Sequence, residues 1–159
     1  MIYDGSEQKD IGTDFAYIYV GEGNTFQILD MMRKHGIIEK IHVAIQNGAS
    51  YIGSSAGAMI AGKDIALAHD FDRNFVGMSD FRALELFQGT IIPHYTKDDL
   101  ICYLSRTPKE SLERYQNIYS VGNGDEEGET GILILDGTQA ETTEKRPIYH
   151  MTDLELAAR

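Results

Sequence analysis

The sequence predicts one α/β domain over residues 1–159, a three-layer sandwich with a mostly parallel sheet. Short runs of β-branched and aromatic residues alternate with stretches of helical apolar spacing, and a Gly-x-Ser-x-Gly segment at residues 53–57 joins a strand to a helix. With 159 residues, 42% of them hydrophobic, the chain is long enough for one core and too short for two. In such folds the functional loops gather at the carboxyl ends of the parallel strands.

The predicted strands are short apolar runs bounded by turn residues. They cover residues 16–20, 49–52, 90–92, 118–121 and 131–135, and the last of these turns into a hairpin strand at 138–141. The first strand runs directly into a tight turn at residues 21–24, which contains two glycines.

The predicted helices have apolar residues at intervals of three or four positions, or a run of small residues that permits close packing on a sheet. Asn24 can cap the first helix, which begins at Thr25 and is stopped by Gly36. The predicted helices cover residues 25–35, 38–46, 55–61, 97–104 and 108–117.

Ser55 is the central residue of the Gly-x-Ser-x-Gly segment. A nucleophilic serine needs its hydroxyl on a sharp strand-to-helix turn, and glycines two positions to either side allow that turn. The next backbone N–H and the helix dipole then point at a developing oxyanion. The segment therefore predicts a hydrolase with Ser55 as nucleophile, although the same spacing also fits an ordinary strand–helix turn.

Composition limits the partners and the setting. The net charge of −11 and the pI near 4.7 argue against a nucleic-acid or membrane partner bound through a basic face. The lone Cys102, in a run typical of a packed helix, excludes an internal disulfide framework and favours a reducing, cytoplasmic location. The N-terminus shows no basic region followed by an apolar stretch, and no window is long enough to span a membrane. No metal-ligand motif occurs, so we expect no metal and no cofactor.

Four segments together resemble the aspartyl dipeptidase (peptidase E) family of serine peptidases, peptidase family S51. They are the turn at 21–26, the serine segment at 51–58, Pro93-His94-Tyr95 and Glu127-Gly128. The resemblance extends from about Ala16 to the C-terminus. It implies a flavodoxin-like fold similar to that of the class I glutamine amidotransferases, and hydrolysis of short peptides, including those with N-terminal aspartate.

The resemblance implies a role for each of these residues. Ser55 would attack the peptide carbonyl and form an acyl-enzyme, with His94, just past the end of a predicted strand, as general base. The backbone N–H groups of Gly23 and Ala56 would form the oxyanion hole. The other histidines lie in helical stretches, in a loop and in the C-terminal tail; they are His35, His42, His69 and His150.

The third member of the triad stays open between two carboxylates. Glu127, before a glycine in a predicted loop, fits the family pattern for the residue that accepts the far imidazole N–H, although its acidic neighbours Asp125 and Glu126 also fit a solvated loop. Asp70 matches an aspartate that the family needs for activity, and it would either hold His94 or order the site. Asp72 is the substitute if the loop is shifted.

This chain departs from the family pattern in three ways. Glu22 stands in the middle of a turn that is commonly a glycine triplet, where its carboxylate would either face water or bring negative charge to the oxyanion site. The basic residue that an N-terminal aspartate requires is best assigned to Arg106, with Arg73 and Arg82 as alternatives. Family members carry strand–helix units before the segment equivalent to Ala16, so we expect open strand edges covered by a second copy of the chain or by residues 1–15.

The predicted function is that of a cytoplasmic serine exopeptidase or dipeptidase acting through an acyl-enzyme. A competing hypothesis is a truncated, non-catalytic relative with a binding or assembly role, favoured by the short N-terminal region and Glu22. An esterase of the α/β-hydrolase type is a third hypothesis, but that family places its acid before its histidine and usually needs a longer chain.

Overall fold

Two parallel strand pairs organise the part of the chain that the structure describes. The computed structural model describes residues 12–87 and 89–93 and, beyond them, only the strands at 118–121, 132–136, 139–142 and 148–150. The strands are β1 (Tyr17–Val20), β2 (Ser50–Ser54), β3 (Thr90–Pro93), β4 (Ile118–Val121), β5 (Ile132–Asp136), β6 (Gln139–Thr142) and β7 (Ile148–His150). The helices are α1 (Thr25–Lys34), α2 (Ile37–Gln46) and α3 (Ala56–Ala61), followed by a 3-10 helix (Ala66–Asp70).

One sheet has the strand order β1-β2-β5-β6, and the other has the order β3-β4-β7. β1 and β2 are parallel, with Val20 opposite Gly53 in the register. Parallel pairing brings the carboxyl ends of both strands to the same edge, so the turn after β1 lies beside the segment after β2. β3 and β4 are also parallel, whereas β5, β6 and β7 join their neighbours in antiparallel pairs.

α1 is an amphipathic helix with a capped start. Phe26, Leu29 and Met32 recur every third position and are buried against the core. The Asn24 side chain accepts a hydrogen bond from the Gln27 N–H at 3.0 Å, which satisfies one of the free donors at the start of the helix. Gly36, with φ of 62°, separates α1 from α2 in a left-handed conformation that glycine adopts without a steric penalty.

α3 is buried along its whole length, and it packs against β1, β2, β3 and α1. Its sequence, Ala-Gly-Ala-Met-Ile-Ala, consists mainly of small residues that let the helix approach the strands closely. The core around it contains side chains that are less than 2% exposed: Tyr51, Phe26, Leu29, Met59, Ile60, Ile65, Leu84, Ile91 and Ile92. The serine segment therefore leads into a helix whose residues are all buried.

The α/β fold class and the predicted elements in the described ranges are confirmed, with bounds that differ by one or two residues. Two placements were wrong. His150 lies in strand β7, not in a tail, because β7 pairs with β4 far along the chain. His69 lies in the 3-10 helix rather than in a loop. The helices predicted at 97–104 and 108–117 lie outside the described residues.

Across the residues that the structure describes, none of the helices combines the length and the apolar character needed to cross a bilayer.

Candidate active site

Ser55 occupies a strained elbow between β2 and α3. It has φ of 49° and ψ of −110°, a backbone conformation that non-glycine residues rarely adopt. Such conformations cost about 1–3 kcal/mol and persist only where the surrounding structure enforces them. The strain sits at the residue that the sequence predicts as nucleophile, as the sharp strand-to-helix turn of a nucleophile elbow requires.

The glycines on either side of Ser55 are required by packing. A Cβ atom on Gly53 would lie 2.6 Å from the Gly57 carbonyl oxygen, and one on Gly57 would lie 2.0 Å from the Val20 carbonyl oxygen. Both distances are far below van der Waals contact. The two glycines of the motif therefore allow β1, β2 and α3 to come together, in addition to permitting the turn itself.

Two hydrogen bonds fix Gly57 within this elbow. The buried Tyr51 hydroxyl donates to the Gly57 carbonyl oxygen at 2.8 Å. The Gly57 N–H donates to the Gly21 carbonyl oxygen at 3.2 Å, which joins the elbow to the turn after β1. Burial raises the pKa of Tyr51, so its hydroxyl stays protonated and remains a donor over the ordinary pH range.

The turn at residues 21–24 lies against the elbow and contains Gly23. Gly23 has φ of 142°, outside the region open to other residues, and a Cβ there would meet Ile28 at 3.1 Å. Glu22 is exposed, and one of its carboxylate oxygens lies 3.5 Å from the Ser54 hydroxyl oxygen, which donates to it. The Glu22 carboxylate thus lies next to the strand that leads into Ser55.

Asp70 and Asp72 have different surroundings although they are two residues apart. Asp70 is exposed at the end of the 3-10 helix. One oxygen of the half-buried Asp72 carboxylate accepts hydrogen bonds from the Thr25 N–H at 2.8 Å and the Thr25 hydroxyl at 2.6 Å. The Asn24 side-chain amide donates to the Arg73 carbonyl oxygen at 2.9 Å, so this loop is tied to the turn at two adjacent positions.

Three of the described histidines lie in or beside helices. His35 is the C-terminal cap residue of α1, and His42 lies in α2. The His69 ring packs on Phe26 and Phe81, with ring centroids 4.7 and 5.4 Å away.

Several residues predicted for the site lie outside the described residues. They are His94, Arg106, Asp125, Glu126 and Glu127. The structure follows the chain to Pro93, the buried last residue of β3, which packs on α3. His94 is the next residue. The structure therefore brings together Ser55, Ala56 and the turn with Gly23, and it does not test the base, the third triad member or the preferred substrate-binding arginine.

The alternative substrate-binding arginines have partners in the structure. The Arg82 guanidinium pairs with Asp80 at 2.7 Å and hydrogen bonds lower the Asp80 pKa to about 2. The Arg73 guanidinium lies over the Phe75 ring, 5.4 Å from its centroid. Arg73 belongs to the loop that is tied to the turn.

A cavity of about 370 Å³ lies beside β1 and does not include Ser55. Its walls come from β1 and the facing side chains of α1 and α2, including Tyr17, Tyr19, Met31 and Ile41. Its lining is both polar and apolar, and it includes Gly21 and Glu22 of the turn that lies against the elbow.

In the described part of the chain, no group of three or more His, Cys, Asp or Glu side chains is arranged to hold a metal ion.

Sequence reasoning missed two residues that hold the site. The sequence predicts Tyr51 only as a residue of a short apolar strand. The fold shows that its hydroxyl donates to the Gly57 carbonyl oxygen. The sequence predicts Asp72 only as a substitute for Asp70, although its carboxylate accepts two hydrogen bonds from Thr25. A usable signal existed for Asp72, because α1 has no acidic residue in its own first turn and so lacks the usual partner for its dipole.

The parallel β1–β2 pair, the buried small-residue helix α3 and the strained serine between β2 and α3 define an α/β protein with a sharp strand-to-helix elbow. The particular family follows from comparison with known proteins. The chain belongs to peptidase family S51, which it matches over residues 5–146. The family predicted from the sequence is confirmed.

Its relatives include several bacterial proteins named peptidase E. The one from Actinobacillus pleuropneumoniae serotype 5b (strain L20) is 31% identical over 114 residues, which are 72% of this chain and 48% of the relative. The one from Haemophilus influenzae (strain ATCC 51907) is also 31% identical over 114 residues, 72% of this chain and 51% of the relative. The chain thus spans about half the length of the curated relatives it matches.

A solved structure supports the same fold. The crystal structure of a candidate peptidase E protein from Listeria monocytogenes EGD-e has a TM-score of 0.60 and 28% identity to this chain. The similarity covers 83% of this chain and 60% of the Listeria chain. It confirms the predicted α/β fold of the class I glutamine amidotransferase-like, flavodoxin-like type.

Proposed function

We propose that this protein is a serine exopeptidase or dipeptidase that cleaves short peptides, including those with N-terminal aspartate, through an acyl-enzyme on Ser55. The observation that carries the proposal is the strained backbone of Ser55, with φ of 49° and ψ of −110°, between two glycines that no other residue could replace. A fold maintains such strain at a site where it exposes a nucleophile. Membership of a peptidase family supports the same chemistry.

The proposed reaction has two halves. The Ser55 Oγ forms a bond to the peptide carbonyl carbon while His94 takes the hydroxyl proton. The C–N bond then breaks and the leaving amine takes that proton. In the second half, water gives a proton to His94 and bonds to the acyl carbon, the C–O bond to Ser55 breaks, and the Ser55 Oγ takes the proton. The backbone N–H groups of Gly23 and Ala56 are proposed to stabilise the oxyanion in both halves.

The triad and substrate contacts are part of this proposal. Glu127 or Asp70 would accept the far His94 N–H and stabilise the imidazolium that forms in the transition state. Arg106 would face an aspartate side chain of the substrate. A cytoplasmic location, predicted from the single cysteine, agrees with a peptidase that acts on short peptides.

Covalent labelling of Ser55 tests the proposed nucleophile. A serine-directed phosphonate should label the wild-type protein, and Ser55→Ala should remove both the label and peptide hydrolysis. Ser54→Ala is a matched control, because Ser54 is the adjacent serine, only 3% exposed, and its loss should leave the label at Ser55. Labelling that persists in Ser55→Ala would exclude Ser55 as nucleophile.

The base and its carboxylate are separated by a second set of variants. Activity of the wild-type protein should fall as the pH drops through the pKa of the His94 imidazole, because only the neutral ring accepts a proton. His94→Ala should remove this acid limb and nearly all activity. A larger loss in Glu127→Gln than in Glu126→Gln would identify Glu127 as the third member, and a large loss only in Asp70→Asn would identify Asp70.

A non-catalytic role in binding or assembly is the competing function, and Glu22 favours it. Its carboxylate lies 3.5 Å from the Ser54 hydroxyl, close to the site where an oxyanion would form. A negative charge there opposes the developing charge of the transition state. Absence of phosphonate labelling in the folded wild-type protein, with labelling restored by Glu22→Gly, would favour this function.

We also propose that a second copy of the chain covers the edge of β1. Within the described strands β1 pairs only with β2, and Tyr17 and Tyr19, which line the cavity beside β1, are 70% and 63% exposed. Unpaired strand edges with exposed apolar residues are places where chains associate. Sedimentation should then show a dimer whose melting temperature falls on dilution, and a monomer with a concentration-independent melting temperature would refute it.

A further inference from the structure

The turn at residues 21–24 is held at both of its ends. At its start, the Gly21 carbonyl oxygen accepts the hydrogen bond from the Gly57 N–H in the elbow. At its end, Asn24 and Thr25 contact the loop that follows the 3-10 helix. Glu22 and Gly23 lie between these two anchored points, and the Glu22 carboxylate accepts the long hydrogen bond from the Ser54 hydroxyl at 3.5 Å.

The Asp72 carboxylate is the strongest contact at the second end. A single Asp72 oxygen accepts from both the N–H and the hydroxyl of Thr25, at 2.8 and 2.6 Å. Hydrogen bonds to a charged acceptor are shorter and stronger than neutral ones. Thr25 is the first residue of α1, which has no acidic residue in its own first turn, so Asp72 places a negative charge at the positive end of the helix dipole.

The Asn24 side chain strengthens the same connection. Its oxygen caps α1 by accepting from the Gln27 N–H at 3.0 Å, while its amide donates to the Arg73 carbonyl oxygen at 2.9 Å. Residues 24–25 and 72–73 therefore form one hydrogen-bonded unit. The Asp72 side chain supplies the charged part of this unit.

We infer that Asp72 is a positioning residue, which orients the Gly23 N–H for the oxyanion through Thr25. An oxyanion donor must lie about 2.7–3.1 Å from the developing charge, and a misplacement of about 1 Å costs roughly a hundredfold in rate. Gly23 has φ of 142° and no side chain to restrict it, so its N–H direction depends on the anchored ends of the turn. This inference rests on the proposed function, because it assigns Asp72 a role in the same reaction.

The test compares Asp72→Asn with Thr25→Val, Thr25→Ser and Asp30→Asn. Asp72→Asn removes the charge of the acceptor and Thr25→Val removes the hydroxyl donor, and neither changes the shape of the side chain much. Thr25→Ser keeps both donors. Asp30→Asn is the matched control, since Asp30 lies on the same helix and pairs with the exposed Lys34 at 2.6 Å, away from the turn.

We expect Asp72→Asn and Thr25→Val to lower kcat and the rate of phosphonate labelling by about tenfold to a hundredfold, with KM changed less than about threefold. An oxyanion donor stabilises the transition state more than it stabilises the bound substrate. Its misplacement should therefore lower kcat more than it changes KM. Thr25→Ser and Asp30→Asn should keep the wild-type rates. The double variant Asp72→Asn/Thr25→Val should be no slower than the slower single variant, because both act on one contact.

All rates are compared at a temperature at which circular dichroism shows every variant to be folded. Wild-type rates in folded Asp72→Asn and Thr25→Val would overturn the inference, and so would a loss that appears in KM alone. The proposed function fails separately, and the inference with it, if the folded wild-type protein neither hydrolyses peptides nor takes up the phosphonate at Ser55.

Discussion

The Ser55 elbow and the neighbouring turn at residues 21–24 are adjacent parts of one site, but different forces hold them. In addition to its two hydrogen bonds at Gly57, the elbow is held by close packing, since a single methyl group on Gly57 would lie 2.0 Å from the Val20 carbonyl oxygen. The turn is held by polar contacts with Asp72 and the Arg73 carbonyl oxygen, which come from a loop 47 to 49 residues away.

This difference predicts how each part responds to substitution. The energy of steric overlap rises steeply over a few tenths of an ångström. Substitutions that add side-chain volume should therefore strongly destabilise the elbow. Hydrogen bonds weaken gradually as their geometry and charge change. Substitutions of single donors or acceptors should therefore weaken the contacts of the turn by degrees. The elbow is thus expected to be intolerant of substitution, and the turn to be adjustable.

The largest effect is expected for Gly57→Ala. The added Cβ would force α3 away from β1, and we expect a loss of more than about 3 kcal/mol in unfolding free energy, or no soluble protein. Gly77→Ala is the control, because open space surrounds its Cβ and its φ of 65° alone should cost about 1–2 kcal/mol. Thermal melting compares the two. Equal melting temperatures would contradict the packing explanation of the motif.

Replacement of Ser55 itself separates strain from chemistry. Glycine adopts φ of 49° without the penalty that serine or alanine incurs, so Ser55→Gly should be more stable than Ser55→Ala by about 1 kcal/mol. Both variants should lack activity. Urea denaturation measures the difference. A Ser55→Gly protein that is less stable than Ser55→Ala would show that the elbow is not strained.

Tyr51→Phe should cost about 1 kcal/mol, because the ring remains and only the hydrogen bond to the Gly57 carbonyl oxygen is lost. Burial raises the Tyr51 pKa above that of the unfolded chain, so the unfolded state binds fewer protons above about pH 10 and wild-type stability falls there. The stability of Tyr51→Phe should not show this decrease at alkaline pH, because the variant has no hydroxyl at position 51. Tyr17→Phe, at a tyrosine that is 70% exposed, is the control and should behave as wild type.

The smallest effect is expected at the far end of α1, where Arg33 donates to the Asp80 and Arg82 carbonyl oxygens. The Arg82 hydrogen bonds lower the Asp80 pKa to about 2, below its value in the unfolded chain. The stabilising contribution of Asp80 is therefore present above about pH 4 and is lost as the pH falls towards 2. Chemical denaturation should give a slightly lower free energy of unfolding for Asp80→Asn than for wild type at pH 6 and equal values at pH 2. A difference that grows in acid would contradict the assignment.

The parts of the molecule that were predictable depend on neighbours in the chain. The start of α1 follows from the capping side chain of Asn24, and its buried face follows from Phe26, Leu29 and Met32 at every third position. The elbow follows from glycines at 53 and 57 around a serine. Capping, periodicity and backbone freedom act over a few residues, and this is why the order of elements could be predicted with nearly correct bounds.

The sequence by itself determined the α/β order, the elbow with Ser55 and the family of this protein. Only the tertiary structure decided that Asp72 contacts Thr25, that the Tyr51 hydroxyl reaches Gly57, and that β7 pairs with β4. The physical reason is that these contacts join residues that only the fold brings together. The residues next to a hydroxyl or a carboxylate in the sequence do not indicate which group it will contact. The same reason applies to the edge of β1 that no other described strand pairs with, which follows from the strand order and not from the residues within the strand.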